Sequence, residues 1–439
     1  MIQRLFSVCW RLTILVLPWQ TRWFGDASLV GWPWEQGRWS VYVSWLLIVA
    51  TVILGLLVRR PGRFDLRKRR GPIVAVGLLL LVTVAACGTD VAVWKPALQW
   101  WTQVTLLALF VWTLVRAGIP RRTLAVWSVA AMMPHVVLGV WQYALQRVVG
   151  HPWLGIATQL PEDAGVSVIE HSVYRVLRMY GGFPHPNIFG GWAAVGYLLS
   201  LWLAATAATK SRALWWSAAS ASLAVALLLT YARGAWIASA VGTLVLVGTI
   251  VRAHVAKRPE PEGETTSLQY LVAAVAASIL IAVAVAVPQA DHLATRFHPS
   301  ERLEAKSVEA RLSSFSLGLD LVRRHPFIGI GPNADLLDMS RRLGTETSTE
   351  PLEPPHIGYL LAFADVGAVG LLALSYLGWL LVSAACRHKD FARVILSTLV
   401  ILAVFDHYPW SLWAGQSLVA LVVAIVLTEP PPSRREGGS

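Results

Sequence analysis

The stretch RMYGGFPHPNIFGG, residues 178–191, places Arg178, His185 and Asn187 directly before a long apolar run. Arg233 stands in TYARGAWIA (230–238), between two further apolar runs, and Arg311 in EARLSSFSLGLDLVRRHPFIGIGPN (309–333), which ends at Asn333. His356 follows a pair of prolines in EPPHIGYLLAFADVGAVG (353–370), and Asp406 and His407 open DHYPW (406–410). A guanidinium is a planar donor fork that matches phosphate oxygens. A neutral imidazole takes a proton from an attacking hydroxyl. Together these residue types suit group transfer from an anionic donor, provided the fold brings them to one place. No CxxC pair and no Cys/His cluster occurs, and Cys9, Cys87 and Cys386 lie far apart, so neither a metal site nor a disulfide is expected.

The chain that must position them is strongly apolar. Of its 439 residues, 56% are hydrophobic and 14% charged, whereas soluble domains carry roughly 25% charged residues. Apolar runs of about 20 residues recur, each enough to cross roughly 30 Å of hydrocarbon as a helix. The pattern predicts an all-α polytopic membrane protein with about twelve transmembrane helices, near 5–20, 39–58, 72–88, 97–116, 124–146, 187–208, 213–231, 234–251, 268–288, 356–384, 394–406 and 410–427. The first run resembles a signal peptide, but Arg11 interrupts it and no small-residue cleavage site follows, so it is read as a span.

Alternate loops are basic: RRPGRFDLRKRR, RAGIPRR, KSR, RAHVAKR and CRHKDFAR follow the even-numbered spans, and the tail adds an arginine pair. Such loops stay in the cytoplasm, which puts both termini there. They also account for the net charge of +12, which therefore signals orientation in lipid and not a nucleic-acid partner. The 22 tryptophans suit interfacial belts. The expected organisation is nine spans over 1–288 with an external loop at about 147–186, a helical external loop at 289–355, three spans over 356–427 and a cytoplasmic tail at 428–439. Within the second loop Val308, Leu312, Phe315, Leu319 and Val322 recur at helical spacing, predicting an amphipathic helix along the outer surface.

This topology carries all the polar clusters to the external boundary. Arg233 sits at the tip of a tight helical hairpin, where its alternatives are an anion site and snorkelling to lipid headgroups. Arg311 lies beside the apolar stripe, while Arg323 and Arg324 end the same helix and suit its dipole. Pro354 and Pro355 start the tenth span, so His356 is expected in its first turn, held neutral by the positive helix end. His185, Asn187, Asn333, Asp406 and His407 are expected to line the same region.

In their order and membrane placement, the four stretches around Arg178, Arg233, Arg311 and His356 resemble the O-antigen ligase and polymerase superfamily, over roughly residues 170–415. The resemblance implies a GT-C-type glycosyltransferase that moves a glycan from undecaprenyl pyrophosphate to a lipid or glycan acceptor on the external face, without metal or other cofactor. It implies that His356 is the general base, that Arg233 is essential, that Arg178 matches a further family arginine, and that the protein sits in the plasma (inner) membrane of a bacterial cell. The outer cations Arg178, Arg233 and Arg311 are expected on the donor pyrophosphate, a solvated or structural role being the alternative for Arg311. The family histidine is often followed by asparagine, whereas Ile357 follows here. Attack opposite the leaving group implies inversion. A polymerase of the same superfamily shares the donor and differs in acceptor. An exporter or flippase of an anionic lipid is the alternative of another class, although the chain shows no repeat of the kind transporters carry.

Overall fold

The structure, a computed structural model, describes residues 1–58, 70–171, 174–255, 267–297, 302–344, 352–387 and 391–428. Outside them fall most of the RRPGRFDLRKRR loop, the linker after RAHV, the centre of CRHKDFAR, part of the 289–355 segment and the tail.

Helices α1 (Ile2–Val16), α2 (Val43–Leu57), α3 (Arg70–Cys87), α4 (Val91–Arg116), α5 (Arg121–Leu145), α6 (Pro186–Ala205), α7 (Lys210–Leu229), α8 (Arg233–Val255) and α9 (Leu268–Ala286) follow one another in the first two thirds of the chain. The shorter α10 (Ala290–Thr295), the long α11 (Arg302–Arg324) and α12 (Asp335–Leu343) come next, and α13 (Gly358–Arg387), α14 (Phe391–Phe405), α15 (Tyr408–Ser411) and α16 (Trp413–Leu427) close the chain. The protein is an all-α membrane protein. Among the described residues, seven helices are long and apolar enough to cross a membrane, and four more are apolar but shorter. Each expected span falls on a helix. The last begins later than expected, at Trp413, because Leu412 is extended and Gly415 packs onto the Tyr408 carbonyl, which separates α15 from α16.

Strand structure is confined to loops. Residues 22–42 form two small antiparallel pairs, and Val168–His171 pairs with Tyr174–Leu177 in the segment before α6. Arg302 at the start of α11 forms an ion pair with Glu170 of the latter hairpin.

Helix α6 is buried along its length and forms the axis of the bundle. The glycine pair in IFGG makes this possible. At Gly190 a side chain would meet Ala232 and Ala235 of the α7–α8 turn and of α8, and at Gly191 it would meet the Tyr408 hydroxyl. Close packing of small residues is what draws membrane helices together when lipid is as apolar as leucine. Here it brings the α7–α8 turn and α15 against the start of α6.

Helix α11 is helical over the expected stripe, but the stripe is not its packed face. Leu312 is 66% exposed, and Val308 and Phe315 are also exposed. The buried side is Ser314, Gly318 and Leu321, with Gly318 against Leu360 and Pro355. Arg311 lies three residues before Ser314 and seven before Gly318, so helical spacing puts it on this inward side. The small residues, and not the large ones, decide which way the helix turns.

Helix α13 is broken at Gly367, whose φ of 62° lies in the left-handed region. The segment after α11 enters this break. Ile330 and Gly331 donate their N–H groups to the carbonyls of Ala364 and Asp365 at 3.0 and 2.9 Å, and Ala368 and Val369 donate to Pro326 and Phe327 at 2.8 and 3.2 Å. Backbone groups freed by the break are thus paired within the protein, as a low-dielectric interior requires. The first part of α13, with the residues that precede it, is locked to the end of α11.

Candidate active site

The α7–α8 turn supplies Arg233. Tyr231 occupies a left-handed conformation (φ 49°), fully buried, and this bend starts α8 at Arg233, with Gly234 beside Phe405 and Ala235 beside Gly190 at the start of α6. A small pocket, with a cavity volume of about 20 Å³, opens here, lined by Asn187, Arg233, Arg296, Arg311, Asp406 and Tyr408 among others. Its walls come from α6, the α7–α8 turn, α8, α11, α14, α15 and the connections between α10 and α11 and between α14 and α15.

Arg178 stands immediately behind this wall. Its Nε donates to the Thr230 carbonyl and its Nη2 to Asn187 Oδ1, both at 2.7 Å. Asn187 Nδ2 in turn donates to Asp406 Oδ2 at 2.9 Å, and the His407 backbone N–H holds Asp406 Oδ1 at 2.8 Å. Arg178 therefore sets the orientation of Asn187 and Asp406 from inside the protein. Burial pushes the Arg178 guanidinium down to about 10, with the charges of Arg311 and Arg233 adding to the effect. Burial lowers Arg311 as well, again with Arg233 contributing. Cations that depress one another in this way mark a place where an anion lowers the free energy.

Arg296 joins this group although no motif pointed to it. It is 8% exposed, and its Nη2 donates to the Tyr231 carbonyl at 3.1 Å while its own carbonyl accepts from Arg233 Nη1 at 3.0 Å. Burial and the charges of Arg178, Arg233 and Arg311 push it down to about 8. In sequence it is a lone arginine in ATRFHPS after the ninth apolar run, indistinguishable there from a headgroup contact.

His356 is not in the first turn of α13, as expected, but two residues before it, at a bend in the lead-in. Gly358 approaches the Ala403 and Asp406 carbonyls at the end of α14 closely, and the helix starts there. The result is contact with the other histidine: the His356 and His407 rings are 6.1 Å apart. His356 Nε2 lies 3.2 Å from Glu353 Oε2. A carboxylate only accepts, so Nε2 carries the proton and Nδ1 has the free lone pair. The hydrogen bond to His356 holds the Glu353 carboxyl below its ordinary range against the opposing effect of burial. Glu353, three residues ahead of the histidine in EPPH, had a readable signal: an acid at a spacing that lets it orient a base.

His407 Nδ1 pairs with Ser411 Oγ at 2.6 Å, and burial lowers its pKa. His185 caps α6. Its Nδ1 accepts from the Asn187 N–H at 3.1 Å and its Nε2 pairs with Ser167 Oγ at 2.7 Å, so both ring nitrogens are engaged. Asn333 does not reach the pocket wall. Its backbone N–H donates to Asp365 Oδ2 at 3.1 Å in the interior, where it fixes the loop that enters the α13 break.

Against the expectation of no metal, His356, Asp406 and His407 each offer a ligand atom within 4.8 Å of the others. The chemistry of the surroundings opposes a divalent cation. Asp406 already accepts from Asn187 and the His407 N–H, His356 faces Glu353, and the arginines add positive charge.

No curated protein matches the chain significantly. The family model described as O-antigen ligase matches residues 218–375, a stretch that contains Arg233, Arg296, Arg311, Glu353 and His356. Arg178, His185, Asn187, Asp406 and His407 lie outside it, yet the fold brings Asn187 and Asp406 to the same pocket. This central stretch of an all-α membrane bundle is thus similar to O-antigen ligase, and the match supports the O-antigen ligase and polymerase superfamily.

Proposed function

We propose that the protein is a membrane glycosyltransferase that moves a glycan from an undecaprenyl-pyrophosphate donor to a lipid or glycan acceptor at the external face of the plasma membrane. The observation that carries the reading is the pocket in which Arg233 and Arg311 face Asn187 and Asp406, with Arg178 behind them and the Glu353–His356 pair alongside. The pyrophosphate binds the guanidiniums, which stabilise charge developing on the leaving oxygen as a preorganised electrostatic site does.

His356 Nδ1 removes the acceptor hydroxyl proton as that oxygen bonds to the anomeric carbon. The anomeric carbon–phosphate oxygen bond breaks, its electron pair leaves with the lipid pyrophosphate, and attack from the opposite side inverts the centre. Glu353 stabilises the imidazolium that forms. Asp406 and His407 shape the wall between base and cations. This mechanism needs no cofactor.

The test is transfer by the purified protein in nanodiscs, with a lipid-linked oligosaccharide donor and separate lipid and glycan acceptors. His356→Ala and Arg233→Ala should each abolish or sharply reduce transfer at unchanged expression. Transfer by both variants at the wild-type rate would remove the pocket from the reaction. A ligase attaches finished chains whereas a polymerase lengthens them, so mass spectrometry of envelope glycans in a deletion strain separates those two outcomes.

A further inference from the structure

Three parts of the proposed site come from separate stretches of the chain. Helix α11 carries Arg311, the lead-in to α13 carries Glu353 and His356, and the α14–α15 connection carries Asp406 and His407. They meet at the break in α13. There the main chain ties the end of α11 to α13, because the Asp365 carbonyl accepts from Gly331 at 2.9 Å and the Ala364 carbonyl from Ile330 at 3.0 Å. The Asp365 side chain, fully buried, adds the third element. Its Oδ2 accepts from the Asn333 N–H at 3.1 Å and from Trp410 Nε1 at 2.6 Å. Asn333 lies in the loop after α11, in a left-handed conformation (φ 61°). Trp410 lies in α15, where its N–H donates to the His407 carbonyl at 2.9 Å and its ring packs on Trp100 with centroids 4.7 Å apart. One carboxyl oxygen thus joins the loop after α11 to the helix that follows Asp406 and His407.

We infer that Asp365 is a positioning residue of the transfer site, whose carboxyl fixes the Asp406–His407 wall in register with His356 and Arg311. The inference rests on the transfer chemistry proposed above, in which base and cations act on the two sides of one carbon. Asp365 does not itself line the pocket, so it acts only through the elements that it joins. Packing does not account for it, since an apolar side chain would fill this place without the cost of desolvating a carboxyl. Hydrogen bonds are directional, and a buried hub of them selects one arrangement of the segments around it. Without the carboxyl, the cations and the base stay on their own elements, and what they lose is their register. A displacement of about 1 Å in such a site costs on the order of 100-fold in rate. The donor, held by the cations, binds as before, so the loss falls on kcat.

The test combines transfer kinetics on a lipid-linked oligosaccharide donor with amide hydrogen exchange, both on the full-length protein in nanodiscs. Asp365→Ala should lower kcat by about 10- to 100-fold, leave the donor KM nearly unchanged, and speed exchange over residues 406–411. Asp365→Asn keeps an oxygen that accepts both bonds, so it should recover most of the loss. Trp410→Phe keeps a ring against Trp100 and removes only the donor to Asp365. It should lower kcat as well, and adding it to Asp365→Ala should cost little more, because both changes break one link. If the alanine variant does not fold by thermal unfolding, Trp410→Phe and Asp365→Asn carry the comparison. Faster exchange with unchanged kcat would overturn the positioning role, as would joint loss of donor binding and kcat, or an asparagine variant no better than alanine. No transfer by the wild-type protein would refute the donor reading and the kinetic role with it. Exchange in Asp365→Ala tells the two failures apart, since it reports on the junction whatever the substrate.

Discussion

Replacing His356 with alanine puts the proposed chemistry at greatest risk. General-base assistance contributes about 10²- to 10⁴-fold, which corresponds to about 2.7–5.5 kcal/mol of transition-state free energy. The geometry refines this expectation. Glu353 takes the Nε2 proton, so the base atom is Nδ1, and an asparagine that keeps a polar group without a basic nitrogen should be as inactive as alanine. Glu353→Gln leaves a hydrogen-bond acceptor and removes only the charge. With side-chain exposures of 26% for His356 and 56% for Glu353, the pair is well hydrated, and such pairs contribute about 0–1 kcal/mol. The glutamine variant should therefore lose no more than about fivefold. His185 is the control: both its ring nitrogens are already paired, so its replacement removes a helix cap costing about 0.5–2 kcal/mol of stability and no proton acceptor. The assay is single-turnover transfer from lipid-linked donor at equal protein concentration, with donor binding measured in parallel. Normal turnover by His356→Ala together with an inactive but folded His185→Ala would place the base in the PHPN stretch before α6 and refute the assignment.

Other perturbations bear on the remaining parts of the reading. Arg233→Lys keeps the charge and loses the planar fork, so it should retain more donor use than Arg233→Ala; equal and complete loss would show that geometry alone matters there. Transfer should survive EDTA, and loss restored by Mg²⁺ or Mn²⁺ would assign an ion to His356, Asp406 and His407. Burial first, and the Arg178 charge second, push His185 down to about 3. The unfolded chain binds its proton below about pH 6.5 and the folded one does not, so the contribution of His185 is complete above that value and lost as pH falls towards 3. Between pH 7 and 5 the loss is about 2 kcal/mol, readable as a drop in unfolding temperature that His185→Asn should flatten. A cysteine at Glu162 should react with an impermeant thiol reagent in intact cells and one at Lys210 should not; the reverse would turn the protein over in the membrane.

The helices were legible because burial in lipid demands long apolar runs, and that signal is local. The α7–α8 turn was legible for the same reason: nearly continuous apolar sequence leaves no room for a loop, so Arg233 had to lie at a tip. What escaped depends on contacts between distant segments. The apolar stripe of α11 predicted the helix, but its packed side, where Gly318 admits Leu360 and Pro355 and Arg311 lies inward, was not legible from it. The start of α13 was misplaced by two residues because the approach of Gly358 to the end of α14 has no trace in either sequence stretch.

Arg296 shows the limit most clearly. Its neighbours in sequence explain nothing, whereas its neighbours in space are a carbonyl exposed by the Tyr231 turn and the guanidinium of Arg233. A left-handed tyrosine costs on the order of 1–3 kcal/mol, and its carbonyl and the Tyr143 hydroxyl, 3.1 Å from its own, form the frame that keeps it there. The same turn starts α8, aims one arginine and anchors another. Relaxing it should therefore disturb anion binding before it disturbs the fold, since α6, α7 and α8 remain packed through Gly190, Gly196 and Gly242. Strain concentrated at one residue, paired with cations gathered around it, is how this apolar bundle assembles a polar site without a polar core.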